Sequence, residues 1–240
     1  MKCRKNSNFS KQKNMAYLPG ERPLVCPWTN VSPSKDLPPR LSIQRNVSGP
    51  GSAYVEWGDG LSVTKLIAVV KGPRQQSTLR AIFEVEASFA SFIDSNKNEL
   101  ASTKEIASYV KEAVEGCVDM EKYPQCAVSV FLKIIQCGSG SIHNLLCASV
   151  LATFTALREA GIATSDELVC LPISLLPNGE FQINRADPCL TIGITVKSRK
   201  IAFIHSTGLL KEPIEQVESM VNLISSSIEP FSQVIADRTS

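Results

Sequence analysis

A chain of 240 residues is long enough for one large domain or two small ones with a real core. With 43% hydrophobic and 20% charged residues its composition is that of an ordinary globule, which excludes a wholly disordered chain. A net charge of +2 does not by itself imply nucleic-acid binding, which leaves that role to local basic patches.

Residues 1–38 read as a basic, proline-rich tail. Lys2, Arg4, Lys5, Lys11 and Lys13 come without an acid among them, and Pro19, Pro23, Pro27, Pro33 and Pro38 follow. Such a composition buries too little apolar surface to order itself alone. It reads either as a solvated or partner-draped extension, or as a basic arm that touches RNA. No apolar core segment of a signal peptide is expected in its first residues.

Residues 39–240 read as a single domain that begins with strands. Leu41–Gln44 alternates, Gly49-Pro50-Gly51 turns the chain, and Ser52–Trp57 alternates again. Lys65–Lys71 is a nearly continuous apolar run, as expected of a strand covered on both faces, and Gly72-Pro73 closes it. Leu79–Glu86 supplies one more strand, and the four together predict an antiparallel meander. A polar loop is expected over 87–101. Ser102 with Glu105 then forms a capping box that opens a helix to about Glu121, with Ile106, Val110, Ala113, Val114, Cys117 and Val118 as its apolar stripe.

Cys126–Ile135 is the next strand, and it runs into Gly138-Ser139-Gly140-Ser141. The helix that follows is apolar on every side from Leu145 to Leu157, so it must be covered all round and belongs at the centre of the domain. Its N-terminus, fed by a glycine-rich turn, is where backbone N–H groups and the helix dipole are able to hold a phosphate. Gly161 ends it. Leu168–Leu176 and Glu180–Asn184 form a hairpin across Pro177-Asn178-Gly179, and Cys189–Lys197 pairs with Ile201–Ser206 across Ser198-Arg199-Lys200. A last amphipathic helix starts near Pro213 and is kinked or interrupted at Pro230.

The eight cysteines have no C-x-x-C spacing and fall mostly inside apolar patterns, which predicts buried, reduced thiols. His143 and His205 are the only histidines, a poor supply for a zinc site or a Ser-His-Asp triad.

Several separated blocks, GSAYVEWGDG, TKLIAVVKGPR, EKYPQCAVSVFLKIIQCGSGS and ASVLATFTALREAGI, resemble the RNase PH family in words and in order. The resemblance covers roughly residues 38 to 236. It implies the ribosomal-S5-domain-2-like α/β (α+β) sandwich fold, six such domains closing into a ring around an RNA channel, and a phosphorolytic 3′-to-5′ exoribonuclease chemistry. In that chemistry phosphate attacks the 3′-terminal phosphodiester, so cations and a carboxylate-held metal must bring two anions together.

Against the family pattern this chain is depleted. A Gly-Gly-Thr-Arg phosphate turn matches Gly138, Ser139, Gly140 and Ser141, so the threonine and the guanidinium are gone. Of two catalytic aspartates, one matches Ile192 and the other Ala186, with Asp187 one place off. Asp187 reads as a turn or surface residue rather than a metal ligand. The arginine-rich RNA loop expected near 88–101 holds Lys97 as its one cation.

The resemblance therefore implies a member without catalytic residues, metal or cofactor, like the Mtr-type and Rrp46-type subunits of the eukaryotic RNA exosome ring. Its expected partners are other RNase PH-like ring subunits, S1/KH cap proteins and single-stranded RNA, with no membrane. Its expected role is RNA processing and degradation, including rRNA processing, in nucleus, nucleolus and cytoplasm. Arg74, Lys71 and Arg80, on and after a family Gly-Pro-Arg turn, are the expected RNA contacts or else solvated loop charges. The alternative is a divergent phosphorolytic exoribonuclease with residual activity.

Overall fold

The computed structural model describes residues 41–58, 63–77, 80–91, 102–138, 142–175, 181–183 and 189–207. Nine strands and two α-helices, with a short 3-10 turn at Met120–Lys122, are described there. In chain order they are β1 (Leu41–Arg45), β2 (Ser52–Trp57), β3 (Thr64–Gln75), β4 (Ile82–Phe89), α1 (Thr103–Glu115), β5 (Cys126–Gln136), α2 (Ile142–Glu159), β6 (Leu168–Leu175), β7 (Phe181–Ile183), β8 (Leu190–Thr195) and β9 (Ile201–Ser206). The strands form a five-stranded sheet of order β1-β2-β3-β5-β4 and a four-stranded sheet of order β7-β6-β8-β9.

Both helices lie between the sheets. The α2 helix packs on β2 and β3 of one sheet and on β6 and β8 of the other, while α1 packs on β4, β9 and α2. This explains why α2 has no polar face: from Leu145 to Leu157 every residue is buried. Each of its larger apolar side chains contributes roughly 1.5–3 kcal/mol by leaving water. No described helix is long and apolar enough to cross a membrane. The packing is close enough to need glycine at the β1–β2 turn. Gly51 has φ +78°, and a Cβ there would come within 2.8 Å of the Ala160 Cβ at the end of α2.

Four expectations need correction. The first four strands are not a meander. β3 pairs antiparallel with β5, and β4 lies parallel to β5 on its far side, as a strand returning through a helix must. β4 also begins later and runs to Phe89, because its pairing continues to Ile134 of β5. β3 is not closed by Gly72-Pro73, a cis peptide: a bulge there moves the register from Lys71↔Ser129 to Arg74↔Ala127 and the strand goes on. Proline lacks the ladder N–H that a bulge leaves unused, and a Cβ on Gly72 would meet the Ala127 carbonyl oxygen at 2.6 Å. Finally, α1 ends at Glu115 rather than near Glu121. Gly116 caps it, and a Val118↔Thr164 bridge then draws the chain away from the helix axis.

The capping box is present: Glu105 N–H donates to Ser102 Oγ at 3.2 Å, and Ser102 N–H donates to the Glu105 carboxylate at 2.9 Å. β6 and β7 pair antiparallel with Leu175 opposite Phe181. The segment after Pro213 and the tail at 1–38 lie outside the described residues.

Asp166 fixes the β8–β9 turn from a distance. Its carboxylate accepts from the N–H groups of Glu167, Lys197 and Ser198 at 2.7, 3.0 and 2.8 Å, and from the Ser198 hydroxyl at 2.7 Å. Burial alone would raise its pKa, but these bonds outweigh it and hold the group below the ordinary value. Its contribution is therefore complete above the unfolded value of 3.8 and is lost as pH falls through the lower folded value. Asp166→Ala is expected to cost about 3 kcal/mol at neutral pH, measured by urea denaturation, and progressively less below pH 3.8.

Candidate functional site

The first turn of α2 meets β8 and β9 beneath α1, and side chains from all four elements converge there. His143, 1% exposed, places Nδ1 2.8 Å from Thr191 Oγ1 and Nε2 2.9 Å from Thr207 Oγ1. The His205 ring lies 5.3 Å from that of His143 and 4.6 Å from that of Tyr109, centre to centre. Thr191 and His205 are register partners, so they share a face of their sheet.

This cluster carries no formal charge at neutral pH. Burial, with His205 beside it, pushes His143 down to about 4, and burial also lowers His205. One turn further along α2, burial and the neighbouring Cys170 thiol raise Cys147 well above its usual value. Burial likewise raises Cys117, to about 11, and Cys137. These thiols stay protonated and are poor nucleophiles or metal ligands. The six described cysteines are all free, and the described residues hold no group of three or more metal-ligating side chains.

The sequence-derived site residues are placed as follows. Gly138 N–H donates to Thr64 Oγ1 at 3.4 Å rather than pointing into an open anion nest. Ser139, Gly140 and Ser141 lie outside the described residues, as do Ala186 and Asp187. Ile192 is buried in β8, but its neighbour Thr191 is the residue that reaches His143. Alternation along the strand therefore sends Ile192 to the opposite face, in register with Leu171 and Ile204. The β8 position facing the start of α2 is Thr191, and no residue of β8 carries a carboxylate.

The cations gather elsewhere. Arg74 pairs with Ala127 near the start of β5, whereas the glycine-serine turn follows its end. The nine-residue step from Ala127 to Gln136 spans roughly 30 Å of extended chain. Lys71 is exposed and sets its ammonium 4.6 Å from the centre of the Phe131 ring. Arg80 precedes β4 at the same end of the sheet as Arg74, since Ile82 and Arg74 flank Ala127 from its two sides. The structure thus separates Gly138, the described residue of the degenerate phosphate turn, from Arg74 and Arg80.

Sequence reading missed the histidine cluster. His143 and His205 are far apart in the chain, and the one local clue was a histidine next to the glycine-serine turn.

The family model for the 3′ exoribonuclease family, domain 1 (RNase PH) matches residues 22–163. In sequence the chain is 30% identical over 194 residues to exosome complex component Rrp41 of Nitrosopumilus maritimus, covering 73% of this chain and 75% of that protein. It is also 30% identical over 135 residues to an Arabidopsis thaliana protein, exosome complex component RRP41-like, covering 54% and 49% of the two chains. In fold it is similar to rice (Oryza sativa) Rrp46, with a TM-score of 0.67 at 18% identity over 88% of this chain and 98% of that one. It is similar too to a chain of the Archaeoglobus fulgidus exosome, solved with RNA bound to the active site. That match has a TM-score of 0.61 at 19% identity, covering 81% and 87% of the chains.

A neutral, buried His143 gives a pH signature. Between about 6.5 and about 4 the unfolded chain binds a proton that the folded chain refuses, so stability falls with acid across that window. The slope from this residue is at most about 1.4 kcal/mol per pH unit. The stability advantage of the parent over His143→Gln is expected to be largest above pH 6.5 and to shrink towards pH 4, read from denaturation midpoints in a pH series.

Proposed function

The chain belongs to the RNase PH family, and from that premise we propose that it is a non-catalytic structural subunit of an exosome-type ring, supporting 3′-to-5′ RNA processing and degradation. The observation that carries this reading is the chemistry at the start of α2. Phosphorolysis brings a phosphate ion to a phosphodiester, so it needs positive charge and acid-held metal where two anions meet. The described groups there are two neutral histidines, two threonines and a tyrosine. None supplies a fixed positive charge or a carboxylate.

The proposed partners are other RNase PH-like ring subunits, S1/KH cap proteins and single-stranded RNA passing through the ring. Similarity to exosome components in both sequence and fold supports the ring assembly. Nucleus, nucleolus and cytoplasm, with rRNA among the substrates processed, are the proposed settings. The Mtr-type or Rrp46-type branch is the proposed place within the family, and the fold likeness to rice Rrp46 supports it. In this reading Arg74 and Lys71 face the RNA path, an assignment favoured by their exposure at one end of the five-stranded sheet.

With phosphate, magnesium and single-stranded RNA, the purified chain is expected to release no nucleoside diphosphate. Phosphate-dependent release that disappears with Asp187→Asn would overturn the non-catalytic reading in favour of a residual phosphorolytic enzyme. Arg74→Glu in an assembled ring is expected to leave assembly intact and weaken RNA capture. It should also flatten the dependence of log affinity on log salt by somewhat less than one unit. Superimposable salt series for parent and variant would place Arg74 outside the RNA path.

A further inference from the structure

We propose that the cleft between β4 and α1 is a second phosphate-binding site, which holds a phosphodiester of single-stranded RNA through Lys111 and Arg80. This rests on the reading that RNA passes the Arg74 end of the sheet, and extends it to a site on a helix that sequence reasoning treated as cover for the sheet. The cleft has a volume of about 680 Å³ and is lined by Ser77, Arg80, Ala81, Ile82, Phe83, Lys111 and Glu115. That is room for a nucleotide rather than for a single ion.

Its walls divide by chemistry. Ala81, Ile82 and Phe83 make an apolar floor along the start of β4, with Phe83 buried. Arg80 comes from the strand side and half-buried Lys111 from the helix side, so two cations approach the cleft from different elements. A guanidinium and an ammonium set this way can contact phosphate oxygens from two directions, and the exposed Ser77 adds a hydroxyl donor. A ribose or base edge fits the apolar floor.

Location joins this cleft to Arg74. Arg74 and Ile82 flank Ala127 on neighbouring strands, about 10 Å apart across β5. Arg74, Arg80 and Lys111 thereby mark out one basic track at this end of the sheet, while the glycine-serine turn lies beyond the other end of β5. Glu115, four residues after Lys111 on α1, is the one acid in the lining. It repels a bound phosphate as Lys111 attracts it. The two residues should therefore act with opposite signs, which a purely structural role for either would not produce.

The test measures the affinity of a labelled oligouridylate for the full chain assembled with its ring partners, across a salt series. Lys111→Ala is expected to weaken binding roughly three- to tenfold at low salt and to reduce the salt slope by about 0.7, one single-strand phosphate contact. Glu115→Gln is expected to tighten binding. Unchanged thermal midpoints of both variants keep folding out of the comparison. If both superimpose on the parent while Arg74→Glu weakens binding, the cleft is not a phosphate site and the RNA path stands. If all three superimpose, both readings fail. If millimolar inorganic phosphate binds the parent but not Lys111→Ala while RNA affinity is the same for both, the site takes free phosphate, and its assignment to the RNA backbone is overturned.

Discussion

The burial of α2 between two sheets is the constraint on which the rest of the molecule depends. A helix with β2 and β3 on one side and β6 and β8 on the other has no surface left for water. Its polar atoms then find partners inside the protein or are buried without one, as the Ser149 and Thr153 hydroxyls are. Thr155 answers within the helix, its hydroxyl donating to the Leu151 carbonyl at 2.8 Å. His143, in the first turn, answers across the fold through Thr191 and Thr207. The same constraint requires Gly51 where the β1–β2 turn closes on Ala160.

The electrostatics of the molecule follow from that packing. Around the start of α2 the surroundings are apolar enough to keep two histidines neutral and thiols protonated. A site of that kind satisfies His143 by hydrogen bonds and leaves His205 Nδ1 buried without a partner, and it carries no charge to gather anions. The exposed cations stand where solvent remains, at the far end of β5, which is long enough to keep the two regions about 30 Å apart. Contacts of that sort hold a phosphate backbone without reading its sequence and without activating it. In the proposed role this separation lets the fold guide RNA at a distance from Gly138 and the start of α2.

Local chemistry was legible in the chain. The capping box at Ser102 and Glu105, the all-apolar run from Leu145 to Leu157 and the β8–β9 hairpin could each be read from neighbours in sequence. Their determinants are short-range: a side chain capping its own helix turn, a period of 3.6, a turn between alternating runs. The residue words of four separated blocks also sufficed to identify the family.

Pairing at a distance was not legible. Nothing between Leu79 and Phe89 says that this segment lies parallel to β5 rather than antiparallel to β3, because strand periodicity is the same in both. Only the return of the chain through α1 decides it. The helix after Ser102 continues its apolar stripe to Val118 in sequence, yet the Val118↔Thr164 bridge ends it earlier. At the site, a resemblance could point to Ile192 as a lost acid position, but only the pleat of β8 reveals that Thr191 is the residue facing His143. Sequence determined where most of the elements form and which family they build. Tertiary structure decided which faces meet, since a one-residue step along a strand reverses the direction of every side chain and no local signal records which face a distant helix will cover.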